Sequence, residues 1–162
     1  MNKFLSSFKT SLFSLFFALI SAAAWGQTTN ATYTFIRAAG DIGNNISFTT
    51  EQNNGSSVPK ITDGTLRLLP QNPTASPYDG SSLTLTPLNG ITITAIELNT
   101  QDGYIPRLKY SIASEGFNLS DRDLTIIGVN TYKLSEINAT SSIKIRNADE
   151  TINRQTRLTE LK

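Results

Sequence analysis

Residues 81–100 read "SSLTLTPLNGITITAIELNT". Leu83 and Leu85 alternate with Thr84 and Thr86, then Ile91 and Ile93 alternate with Thr92 and Thr94. Strict alternation of apolar and polar residues is the pattern of a strand with one buried face. Between the two runs stands "PLNG", in which Asn89 and Gly90 readily take the positive φ angles of a tight turn. The stretch therefore predicts a β-hairpin. Ala95 and Ile96 are adjacent, and Ile96 and Leu98 continue in the opposite phase. A slip of one residue inside a regular strand predicts a β-bulge there, with the added bend that lets a sheet curl.

The same signal recurs on both sides. Residues 32–37, 45–50 and 65–70 are short candidate strands before the hairpin; 107–112, 123–129, 131–137, 142–147 and 156–162 follow it. In 142–147, Ile143 and Ile145 oppose Lys144 and Arg146. Gly, Asn, Asp and Pro punctuate the gaps, as in "NNGSS", "PQNPTASPYDGSS" and "QDGYIP". About ten short, mainly antiparallel strands without helical periodicity predict an all-β chain, a β-sandwich or jelly roll.

The N-terminus has a different character. Lys3 and Lys9 precede an apolar run over 11–20, and "SAAAWGQ" supplies small residues for cleavage. This is the pattern of a signal peptide over 1–26, with cleavage after Ala24 as the alternative, and a single sandwich domain over 27–162. The apolar run is shorter than the about 20 residues needed to span a bilayer, so no membrane span is expected after cleavage. The chain has no cysteine, which excludes a lipoprotein anchor and disulfides; the domain must hold by its core. The expected location is secreted or at the cell surface. Without Lys3 and Lys9 the 14 basic residues fall to 12 against 13 acidic ones, a net charge of −1, and they are scattered. Nucleic acid is not an expected partner.

These residues resemble a β-sandwich module of secreted bacterial surface proteins, of the accessory or carbohydrate-binding-like kind. The likeness lies in "SSLTLTPLNGITITAIELNT", "RLKYSIASEGF", a "GVNTYKLSEINATSSIKIRN" hairpin ending at Asn147, and a closing "RQTRLTELK". It covers roughly Ile46 to Lys162. The resemblance implies fold and compartment and transfers no functional residue. The pattern of such modules runs a few residues beyond Lys162, so either the closing strand is short or the domain is truncated at its C-terminus.

The absence of histidine and cysteine excludes Ser–His–Asp triads, Cys–His pairs and ordinary zinc or copper sites. No Gly-rich loop has nucleotide-binding spacing. A carboxylate-only glycosidase remains as a remote alternative, with Asp121 and Asp123 the obvious pair in sequence, although turn chemistry also accounts for them. No organic cofactor is expected. For a structural calcium ion the weak candidates are Asp63, Asp79 and Asp102, each followed by glycine. Five Asn-x-Ser/Thr triplets, at Asn30, Asn45, Asn54, Asn118 and Asn138, fit a composition rich in those residues.

The sharper expectation is a glycan or a surface protein as partner. Sugar stacking needs rigid rings beside amides and charged groups. Tyr78, Tyr104 and Phe117 lie in predicted loops, with Asp79, Gln101, Asp102 and Arg107 near them in sequence. Tyr33, Tyr110 and Tyr132 lie on strands and are assigned to packing. The sequence reading is thus a non-catalytic binding module of the carbohydrate-binding or adhesin kind. Its alternative is a passive structural or accessory part of a larger surface protein.

Overall fold

Leu83 and Leu85 are buried and Thr84 and Thr86 half-buried, as period-2 patterning requires. They sit in one of thirteen strands of the computed structural model, which describes residues 29–70, 80–116, 121–149 and 154–162. In chain order these are β1 (Tyr33–Thr34), β2 (Gly40–Ile42), β3 (Ile46–Glu51), β4 (Lys60–Thr62), β5 (Thr65–Leu68), β6 (Ser82–Pro87) and β7 (Ile96–Thr100). β8 (Leu108–Ile112), β9 (Arg122–Asp123), β10 (Thr125–Ile127), β11 (Thr131–Leu134), β12 (Ile143–Asn147) and β13 (Thr156–Leu161) follow, with a 3-10 turn at Ala113–Glu115. No helix of the described residues is long and apolar enough to cross a membrane.

Every pairing is antiparallel, and the strands form two sheets. One has the order β10-β11-β7-β13-β5-β4, with β1 added beside the far half of β13; the other runs β2-β3-β6-β12-β8-β9. The unit from Ala31 to Lys162 is an all-β sandwich. Its core lies between the sheets. Leu83, Leu85, Ile143 and Ile145 come from one layer, and Leu66, Leu98, Tyr132 and Leu158 from the other, each at most 2% exposed. Burial of each such aliphatic side chain contributes about 1.5–3 kcal/mol. Phe48 meets Tyr33 and Phe35 edge-on, with ring centroids 5.0 and 5.8 Å away.

The stretch 81–100 departs from expectation in two respects, the hairpin and the bulge. It is not a hairpin. Asn89 and Gly90 do form the turn, with φ of 54° and 72°, and the Ile91 N–H donates to the Leu88 carbonyl at 3.1 Å. Yet β6 already has both edges occupied, by β3 and β12. Residues 91–95 therefore leave the sheet, and the chain enters the opposite layer as β7. The phase slip at Ala95 and Ile96 marks this change of sheet, not a bulge.

The expected hairpin between 131–137 and 142–147 is corrected for the same reason. β11 and β12 lie in different sheets, and the hairpin in this region joins β10 to β11. The two crossings clasp each other: Ile93 and Ala139 exchange backbone hydrogen bonds of 2.9 and 3.0 Å. A register shift does occur in β13 against β7. Leu158 pairs with Thr100 and Glu160 with Asn99, leaving Thr159 extra. That bulge turns the i, i+3 spacing of Leu158 and Leu161 into two core contacts. β2, β4 and β9 are too short to show alternation, which is why periodicity does not reveal them.

Candidate functional site

The pairings Thr100 with Leu158, Thr156 with Leu68, and Arg146 with Ser82 bring three connections to one end of the sandwich. Their described parts are 69–70 with 80–81, the whole of 101–107, and 148–149 with 154–155. The 101–107 connection begins with a turn closed by the Tyr104 N–H on the Gln101 carbonyl at 3.1 Å, with Gly103 at φ 78°. A side chain at that angle is strained, so glycine there allows the chain to reverse and present Tyr104. The Tyr104 ring is half-buried. The Arg157 guanidinium of β13 stacks over it, 4.4 Å from the centroid, a contact worth about 0.5–2 kcal/mol. Arg157 Nη1 also donates to Gln101 Oε1 at 3.2 Å and faces Asp63 Oδ2 at 3.4 Å.

A cavity of about 310 Å³ opens here, lined by Gly103, Tyr104, Ile105, Pro106, Arg154 and Gln155. Its walls are held from beneath. The buried Tyr132 hydroxyl donates to the Pro106 carbonyl. Burial holds this phenol above its ordinary value, and the nearby Asp149 charge adds to the shift. Asn147, fully buried, donates from Nδ2 to the carbonyls of Leu68 at 3.2 Å and Arg154 at 2.9 Å. Its Oδ1 accepts from the Asp149 N–H at 3.0 Å. Asp149 in turn accepts the Arg107 N–H at 3.3 Å and faces Arg154 Nη1 at 3.8 Å. Gln155 is oriented by Arg67, whose Nε donates to its Oε1 at 2.6 Å. The bond uses the amide oxygen and leaves the NH2 as the remaining donor of that side chain.

The expected residues are distributed unevenly. Gln101 and Tyr104 are joined through Arg157. Asp102 is exposed and 3.5 Å from Asn130 Nδ2. The Arg107 guanidinium makes a two-pronged pair with Asp123, 2.8 and 3.0 Å, and is not among the cavity walls. Tyr78, Asp79 and Phe117 lie outside the described residues. Asp121 and Asp123 take separate partners: Asp121 is held by Arg146 and Asp123 by Arg107. The Arg107 hydrogen bond holds the Asp123 carboxyl below its ordinary value of 3.8. Among the described residues no group of three or more acidic side chains is placed to share a metal ion, and Asp63 is engaged by Arg157. Tyr33, Tyr110 and Tyr132 pack as expected, Tyr110 and Tyr132 within the core and Tyr33 against its edge.

Arg154, Gln155 and Arg157 were not candidates in the sequence. They stand about 50 residues from Tyr104 in "RQTR", and only the pairing of β13 with β7 joins them.

No family model matches the chain, and no curated protein matches it. Among solved structures it is similar to a mutant of CBM29-2, studied for ligand recognition by family 29 carbohydrate-binding modules. The identity is 9%, the TM-score 0.45, and the match covers 82% of this chain and 91% of that one.

Proposed function

We propose that this chain is an exported, non-catalytic binding module whose ligand is a glycan, held at the Tyr104 cavity. One observation carries the reading. Tyr104, its ring braced by Arg157, lines an open cavity together with Arg154 and Gln155. A ring wall supplies stacking area for the apolar face of a sugar, and amide and guanidinium groups supply donors for its hydroxyls. The supports beneath the cavity fix its shape before a ligand arrives, which lowers the ordering cost of binding. The engagement of Asp121 and Asp123 by separate arginines favours binding over hydrolysis, since a glycosidase needs two carboxylates facing one bond. The signal-like residues 1–26 support export; mass spectrometry of the secreted chain, starting at Gln27 or Trp25, tests that part.

The test of the site is a glycan array with the mature domain, followed by the same array with Tyr104→Ala and Gln155→Ala. The reading requires reproducible binding that weakens about tenfold or more on loss of the ring, the ratio for roughly 1.4 kcal/mol. A folded, monodisperse sample that binds nothing leaves the structural, accessory reading in its place.

A further inference from the structure

The outer face of the β10-β11-β7-β13-β5-β4 sheet is divided in its charge. On one half, cations and carboxylates balance. Lys133 stands opposite Glu97 in register. Lys162 Nζ reaches Glu160 at 3.0 Å and Glu97 at 3.5 Å, and Asn99 donates to Glu160 at 2.9 Å. The other half is different. Lys60 is directly opposite Arg67, and Arg67 directly opposite Arg157, so three cations form one row across β4, β5 and β13. Neighbouring strands are about 4.8 Å apart, which makes the row about 10 Å long.

Like charges placed directly opposite destabilise a sheet, and little here offsets them. Among the described residues neither Lys60 nor Arg67 has a carboxylate partner; Arg67 donates only to the neutral Gln155 amide. Arg157 meets Asp63 alone, whose side chain is 73% exposed and screened by solvent. The Arg157 side chain is itself only 15% exposed, and its buried Nε has no protein acceptor. Such a row is unfavourable for the free fold and favourable for an anion laid across it. At its end stand Gln101 and Tyr104, and Gln155 joins Arg67 to the cavity.

We propose that the ligand is an acidic glycan, with a carboxylate or sulfate group seated on the Lys60–Arg67–Arg157 row and an adjoining sugar ring in the Tyr104 cavity. The inference rests on that cavity being the glycan site, and it adds the charge class of the ligand. Guanidinium groups match carboxylate and sulfate oxygens through paired, charge-assisted hydrogen bonds, which two arginines side by side provide. A polynucleotide is disfavoured by the mature net charge of −1 and by the shortness of the row, against the broad basic surface that phosphate tracking needs.

Isothermal titration of the mature domain with three oligosaccharides separates the possibilities: an oligogalacturonate, a sulfated galactan fragment and a neutral xylo-oligosaccharide. Single-stranded DNA serves as the polyanion control. One or both acidic sugars bind at least tenfold more tightly than the neutral one, the margin of about one charge-assisted hydrogen bond. Arg67→Gln loses about tenfold and the exposed Lys60→Gln roughly threefold, while Lys133→Gln, on the balanced half, leaves binding unchanged. Raising salt from about 0.1 to 1 M shortens the screening length from about 10 to 3 Å and weakens only the acidic ligands. Galacturonate against sulfated galactan tells which acid is preferred; binding of either sustains the inference. Neutral-sugar binding that is lost in Tyr104→Ala but indifferent to Lys60→Gln, with no gain for either acidic sugar, overturns the acidic ligand and keeps the cavity. Lys60 is the discriminating position because Arg67 also orients Gln155. Acidic binding lost in Arg67→Gln and untouched in Tyr104→Ala overturns the cavity and keeps the row. Equal affinity for DNA, or no binding to any probe by the folded domain, overturns the inference outright.

Discussion

Replacing Asn147 by alanine tests how the two sheets are tied at the end that carries the cavity. Asn147 ends β12 in one sheet, and its Nδ2 donates to the Leu68 carbonyl at the end of β5 in the other. The same nitrogen holds the Arg154 carbonyl, and Oδ1 takes the Asp149 N–H. Alanine removes all three bonds. Residue 154 is exposed, so its carbonyl can turn to water, whereas Leu68 and Asp149 are buried. Leu68 also stands in register with Thr156 of β13, so its carbonyl loses one of two partners. The buried Asp149 N–H, by contrast, is left unpaired at about 1–3 kcal/mol. The lost bonds to Leu68 and Arg154 add about 0.5–1 kcal/mol each. The expected loss is about 2–4 kcal/mol, a large share of the stability of a domain this size. The assay is equilibrium urea unfolding, in which the midpoint falls while the slope stays unchanged. Heating gives a drop of roughly 6–16 °C at about 3–4 °C per kcal/mol. A loss under about 1 kcal/mol refutes the reasoning, because it means that the Asp149 N–H finds another partner and the tie between the sheets is not needed.

Three further outcomes follow from particular contacts. Gly55→Ala places a Cβ 2.4 Å from Ser81 Oγ and 2.8 Å from the Gln52 carbonyl; backbone must shift, and urea unfolding should show a loss of about 1–3 kcal/mol. Tyr132→Phe removes the hydrogen bond to Pro106 and costs about 1–2 kcal/mol at neutral pH. Because the folded-state phenol titrates above its ordinary value of 10.0, its contribution is complete below pH 10.0 and is lost as pH rises beyond it. Wild type therefore loses stability at alkaline pH by a component absent from the phenylalanine variant, as read from urea midpoints at about pH 8 and 11. Asp123 behaves in the opposite sense. Its carboxyl is held below 3.8 by Arg107, so its stabilisation is present above pH 3.8 and lost as pH falls below. Asp123→Asn should flatten the acid limb of an acid-unfolding curve slightly, the pair being exposed.

Alternation in the sequence determined the fold class and much of the core. Leu83, Leu85, Leu108, Tyr110, Ile143 and Ile145 are buried where period 2 places them, because a strand has only two faces and one of them meets the other sheet. The turns were legible as well: Asn89 and Gly90 adopt the positive φ angles that their chemistry permits. Which strands pair was not legible. A run of alternating residues after an Asn–Gly turn looks the same whether it folds back on its neighbour or crosses to the opposite layer. Occupancy of both edges of β6 decides between them, and edge occupancy is a property of the whole sheet. The site divides in the same way. The loop position of Tyr104 and its closeness to Gln101 were written locally, within one four-residue turn. The Arg157 that braces the ring, the Gln155 in the cavity wall and the row from Lys60 to Arg157 exist only through the register of β13 with β5 and β7. Sequence periodicity specifies which face a residue takes; hydrogen-bonded register between distant strands specifies which residues share it.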